Sequence, residues 1–114
     1  MSCDLNAKEA KKKDICYISR SSYTLYFEVT DKDNNPVDLS GKSLIFKVKE
    51  GINSSTSVAE LTSTITVTGA NNNIVGLPMD FDLKEKRYHH GLKNIDDDSQ
   101  IMYGYFDVTE SVND

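Results

Sequence analysis

Three clusters of side chains in this chain have the types and spacing to suggest chemistry. The first is Asp31, Asp33 and Asn35, set at alternate positions like the opening oxygen ligands of a calcium loop. Such a loop then needs Gly at its sixth position and a bidentate Glu at its twelfth. Pro36 and Lys42 stand there instead, so Asp31-Lys-Asp-Asn-Asn-Pro36 reads as a turn. The second is His89-His90, the only histidines. Neighbours on a strand point to opposite faces, so the two cannot readily share one metal ion, and both are expected to be partly exposed strand residues. The third is Asp96-Asp97-Asp98. Consecutive carboxylates in a turn suit solvation better than a tuned acid–base pair.

No nucleophile elbow of the form Gly-x-Ser-x-Gly occurs, and no Gly-rich phosphate loop precedes a helix. Cys3 and Cys16 have no metal-ligand spacing. Cys16 opens an apolar strand and is expected to be a small buried side chain, and both thiols are expected to be free, as in a reducing cytoplasm. The residues therefore predict no catalytic site, metal or cofactor.

The elements that would carry these residues are strands. Tyr23–Val29 alternates, with Leu25, Phe27 and Val29 on one face and Thr24, Tyr26 and Glu28 on the other. Leu44, Phe46 and Val48 point inward from a second strand, with Lys47 and Lys49 outward. Val58–Leu61 and Thr64–Thr68 are β-branched runs, and Ile74–Leu77 is a short strand expected to end at Pro78. Residues 79–87 are ambiguous, since 83–87 could form one helical turn. The chain closes on a hairpin: Tyr88–Leu92, the aspartate turn, then Ile101–Thr109 with Phe106 and Val108 inward and Tyr103 and Tyr105 outward. About seven or eight short strands, spaced at about 8–12 residues, predict an all-β fold, an immunoglobulin-like antiparallel β-sandwich. Residues 1–14 read as a polar N-terminal arm and 15–114 as a single β-sandwich domain, a size that suits one core. The expected core is Leu25, Phe27, Leu44, Phe46, Val48, Phe106 and Val108.

The net charge of -5 argues against nucleic acid as a partner, because phosphate binding needs a basic face. No apolar run approaches the roughly 20 residues that cross a bilayer, so no membrane segment is expected. The charge is uneven: residues 1–20 sum to +2 and residues 96–114 to -6. This pattern reads first as a solvated basic arm and a solvated acidic edge, and second as a basic arm of one copy meeting the acidic edge of another. Six tyrosines and no tryptophan stand out. Tyr26, Tyr103 and Tyr105 are the candidate interface residues, forming a sticky patch if they share an outward face.

Several stretches in order resemble a family: Tyr23–Gly41 (with Asp-Asn-Asn-Pro-Val-Asp-Leu-Ser-Gly at its end), Leu44–Val48, Ile65–Ala70, Arg87-Tyr88 and Tyr103–Thr109. Together they are similar to the immunoglobulin-like domains of tailed-phage virion proteins, notably the N-terminal domain of the phage baseplate upper protein family. The resemblance covers residues 20–112. It implies a non-enzymatic structural role in a virion, as an assembly or adaptor subunit of the tail, baseplate, neck or head surface. The implied partners are other virion proteins and copies of itself. Relatives usually continue into a receptor-binding or fibre-attachment region, so a free-standing module is expected here. The alternative is a host-receptor or carbohydrate-binding module on the same scaffold, for which a missing Trp is a handicap.

Overall fold

The computed structural model describes residues 11–51 and 53–110. Among them lie nine strands and no helix. These are β1 (Lys11–Lys12), β2 (Ile15–Ile18), β3 (Ser22–Glu28), β4 (Leu44–Lys49), β5 (Ala59–Leu61), β6 (Thr66–Thr68), β7 (Ile74–Asp80), β8 (Lys86–Asn94) and β9 (Ser99–Thr109). A large sheet runs β1-β9-β8-β4-β5, with β2 also on β9; a small sheet runs β3-β7-β6. Strands β3, β7 and β6 take the places of immunoglobulin strands B, E and D, and β5, β4, β8 and β9 those of C′, C, F and G, as in a variable-type domain. The chain is an immunoglobulin-like β-sandwich. All pairings are antiparallel except those of β1 and β2, which lie parallel on β9.

The core follows from period-two alternation. Leu44, Phe46 and Val48 of β4, Val75, Leu77 and Met79 of β7, and Met102, Phe106 and Val108 of β9 are buried. Ile15 and Tyr17 of β2 and Tyr88 and Leu92 of β8 complete it. Phe106 is the hub of an aromatic cluster, with ring centroids at 5.7 Å from Tyr17, 6.2 Å from Phe46 and 6.2 Å from Phe81. Removing such a ring costs about 3–5 kcal/mol. Leu25 and Phe27 only pack partly against this core. Their strand lies at the rim of the small sheet, where among the described residues it has β7 as its one strand neighbour.

Two tyrosine hydroxyls pin the loops at one end. The Tyr88 hydroxyl donates to the Lys84 carbonyl, 3.0 Å away. This is the tyrosine corner of the immunoglobulin fold, placed at the entry to strand F. The Tyr17 hydroxyl accepts from the Phe81 amide at 2.7 Å and donates to the Ser21 carbonyl at 2.5 Å. Residues 81–85 are thus held as an irregular connection, and no helical turn forms over 83–87.

Several expectations are corrected. The strand from Ile74 does not end at Pro78 but continues to Asp80, with Thr24 opposite Pro78. β6 reaches only Gly76, so beyond it β7 has β3 alone as a neighbour. Pro78 sits on that local edge, where a missing donor is tolerated. Cys16 is exposed rather than buried. Ile15 and Tyr17 take the core face of β2, and alternation turns the residue between them outward. Residues 11–13, assigned from sequence to the polar arm, lie along β9, with the Lys13 amide donating to the Tyr103 carbonyl at 2.7 Å. The earlier part of that arm, with Cys3, falls outside the described residues.

Gly104 makes the join between β1 and β2 possible. A Cβ there would run into the carbonyl oxygen of Lys13 and come within 2.9 Å of Asp14 Oδ1. With no side chain in the way, Asp14 accepts from the Tyr105 amide at 3.0 Å, and the incoming strand steps across β9 between its two paired pieces.

Candidate interaction surfaces

The outer face of the large sheet is built by the same alternation that fills the core. Register places Lys12, Tyr103, Gly91 and Lys47 in one row across β1, β9, β8 and β4. The next row holds Tyr105, His89 and Lys49. Direct cross-strand neighbours point to one face, so these side chains share it. At Gly91, in the middle of the row, the Gln100 amide takes the space a side chain would need, its Nε2 2.9 Å from where a Cβ would stand. The result is an open trough of about 710 Å³ that also includes Lys93 and Gln100 in its wall.

Tyr103 is 43% exposed in this trough. Tyr105 is half-buried because its ring is covered: the Arg87 guanidinium carbon lies 4.1 Å from its centroid, the His89 ring at 5.3 Å and Lys12 Nζ at 5.6 Å. Arg87 in turn grips Asp107 with both ends, Nε to Oδ1 at 2.8 Å and Nη2 to Oδ2 at 3.1 Å. The fork holds the Asp107 carboxyl below the usual carboxylate range and raises the guanidinium still further. One face of Tyr105 is therefore structural, and Tyr103 is the ring of this pair left open.

Tyr26 is not on that face. It is 61% exposed on the outer side of the small sheet, with its ring over Gly76 of β7. The three tyrosines proposed from sequence as one patch are thus split, because β3 and β9 belong to different layers and their outward faces look in opposite directions. Tyr26 instead marks a strand edge. Among the described residues β3 pairs with β7 alone, along all seven residues from Ser22 to Glu28. The edge Ser-Tyr-Thr-Leu-Tyr-Phe-Glu carries one charge, no Lys and no Pro. Tyr23, 40% exposed, adds a second ring near its start.

The clusters read for chemistry are absorbed into structure. Asp31 Oδ1 accepts from the amides of Asp33 and Asn35 at 2.9 and 3.0 Å, and Asn34 takes the left-handed conformation, φ 64°, that a tight turn uses. Asp96 accepts from the Ser43 amide at 2.8 Å, Asp97 from the Ser99 amide and hydroxyl, and Asp98 pairs with Lys93 Nζ at 2.5 Å. With Asp107 held by Arg87, four of the six carboxylates in the acidic last stretch are engaged within the molecule. Among the described residues no group of three or more His, Cys, Asp or Glu is placed to hold a metal ion.

The histidines do point to opposite faces, but His90 is buried, against the expectation of partial exposure. Its ring packs on Phe46 at 5.6 Å and Phe106 at 6.3 Å. It takes the position, two residues after the corner tyrosine, where antibody domains place a disulfide cysteine. His90 Nε2 lies 2.5 Å from the Lys13 carbonyl oxygen. A carbonyl can only accept, so Nε2 carries the hydrogen. Nδ1 is buried and has no partner among the described residues. Desolvation pushes the imidazole below its ordinary pKa, outweighing the Lys13 hydrogen bond and the nearby Asp14 charge. Nothing in the sequence tells which of the two adjacent histidines turns inward, because only the register of β8 puts His90 in the core.

No protein-family model matches this chain, and no curated protein matches it. Among solved structures it is similar to the extracellular domain of the voltage-gated sodium channel beta4 subunit, whose parallel homodimer structures explain its role in cell–cell adhesion. The two are 20% identical, the match covers 96% of this chain and 100% of that one, and the TM-score is 0.39. So loose an overlap carries no argument about partners or function. What places this chain is its own strand order and its tyrosine corner, which make it an immunoglobulin-like sandwich.

Proposed function

We propose that this chain is a non-enzymatic assembly module, an immunoglobulin-like subunit that joins proteins at the tail, baseplate, neck or head surface of a tailed-phage particle. The observation that carries the reading is the edge of β3, which pairs with β7 alone among the described residues. An unpaired strand edge offers a row of amide donors and carbonyl acceptors to another chain. Natural edges are usually blunted by Lys, Pro, bulges or short length, and β3 has none of these along its seven paired residues. The family-like stretches support the setting, since they fall on β3 with its turn, β4, β6, the start of β8, and β9. On this reading the partners are other virion proteins and further copies of the chain, with the virion as its location. In a symmetric particle a modest strand-pairing contact is repeated many times and becomes durable.

The test is twofold. Sedimentation velocity over a concentration series should show self-association that Thr24→Lys together with Tyr26→Lys abolishes without lowering the melting temperature. Mass spectrometry of purified particles should find the chain. A wild-type protein that stays monomeric throughout and is missing from particles defeats the reading. The Tyr103 trough offers carbohydrate a single open ring, so a receptor-binding role has less support; saturable binding on a glycan array would favour it.

A further inference from the structure

The trough on the large sheet carries a charge unlike the rest of the molecule. Four lysines (Lys12, Lys47, Lys49 and Lys93) against the carboxylate of Asp98 leave its lining at +3. The chain as a whole is -5, so everything outside the trough sums to -8. Asp98 is already taken by Lys93. Glu60, the cross-strand neighbour of Lys47, is bonded to the Ser57 hydroxyl at 2.6 Å. Lys12, Lys47 and Lys49 form no ion pair among the described residues. Lys47 and Lys49 are half-buried and line the trough.

We infer that this trough binds an extended acidic segment of another polypeptide, with carboxylates at positions i and i+4 reaching Lys12 and Lys47. The spacing comes from the register. Lys12 and Lys47 end one row, three strand steps apart, which at about 4.8 Å per step is about 14 Å. In an extended chain residues i and i+4 point the same way and are about 13 Å apart. The segment crosses the strands, and its middle residue falls between Tyr103 and Gly91, beside the Gln100 amide that lies over Gly91, so a small side chain is expected there. A long polyanion fits less well. A DNA duplex carries a charge about every 1.7 Å and would continue past the trough onto a surface summing to -8. A short segment confines its charge to the lysines. This surface belongs to the other sheet from the β3 edge, so the inference goes beyond the assembly reading and does not depend on strand pairing there.

The experiment uses the full chain bearing the two β3 lysine substitutions, which keeps self-association out of the signal. Titrate it with a terminally blocked peptide that has Asp at its second and sixth positions and Ser or Val elsewhere, and follow amide NMR shifts. Saturable shifts at Lys47, Gly91 and Tyr103 are expected, weakened by added salt. Lys47→Glu, and separately Lys12→Glu, should each weaken binding by about tenfold or more, the loss of one charge-assisted hydrogen bond. Equal binding of a peptide with its two Asp adjacent, or tighter binding of heparin or oligothymidylate, overturns the inference. So does an absence of saturable shifts. A failure here leaves the particle and sedimentation results untouched, so the two readings fail separately.

Discussion

Acidification should destabilise this protein through His90 before its carboxylates are protonated. In the native state the ring is held neutral by burial, with its one hydrogen on Nε2 facing the Lys13 carbonyl. A second proton would have to go on Nδ1, a buried nitrogen with no acceptor among the described residues. The unfolded chain keeps the ordinary value of 6.5. The sign follows: below 6.5 the unfolded state binds a proton that the native state refuses. The contribution of His90 is therefore whole above 6.5 and is lost as pH falls towards the depressed native value. Over that interval the slope is at most about 1.4 kcal/mol per pH unit, the limit for one whole proton bound by the unfolded state alone, against the roughly 5–15 kcal/mol that holds a domain together. Urea unfolding from about pH 8 to about pH 5 measures it. His90→Phe, a ring of similar size with nothing to titrate, serves as reference, since the carboxylates common to both proteins cancel in the difference. Parallel curves for the two proteins, or a native His90 that titrates at or above 6.5 by NMR, would refute the reasoning.

Two further outcomes follow from the same geometry. Tyr88→Phe keeps the buried ring but strands the Lys84 carbonyl, and should cost about 0.5–1.5 kcal/mol in denaturant melts while leaving the amide spectrum dispersed. Cys16, turned outward on β2, should be alkylated in the native protein as readily as in denaturant when studied in a Cys3→Ser background; protection until unfolding would show that alternation has been misassigned there.

Alternation was legible in residues 44–48 and 101–108 because each strand there has one wet and one dry face. Leu44, Phe46, Val48, Phe106 and Val108 were found for that reason, and Lys47 and Lys49 were correctly turned outward. The same rule failed locally where a neighbour sets the outcome. Pro78 reads as a strand end unless one knows that β6 stops short of it. Cys16 reads as buried unless the faces of β2 are fixed by Ile15 and Tyr17.

Period and turn chemistry are local properties, so strands and the turns at Asp31–Pro36 and Asp96–Asp98 could be read from the residues alone. Which strands are neighbours is fixed by the folded molecule. That is why Tyr26 parts from Tyr103 and Tyr105, why His90 meets Lys13 across Gly104, and why Lys12 and Lys47 end one row. Each of these is a contact between residues far apart in the chain, fixed by register between strands, and register leaves no mark within any one strand.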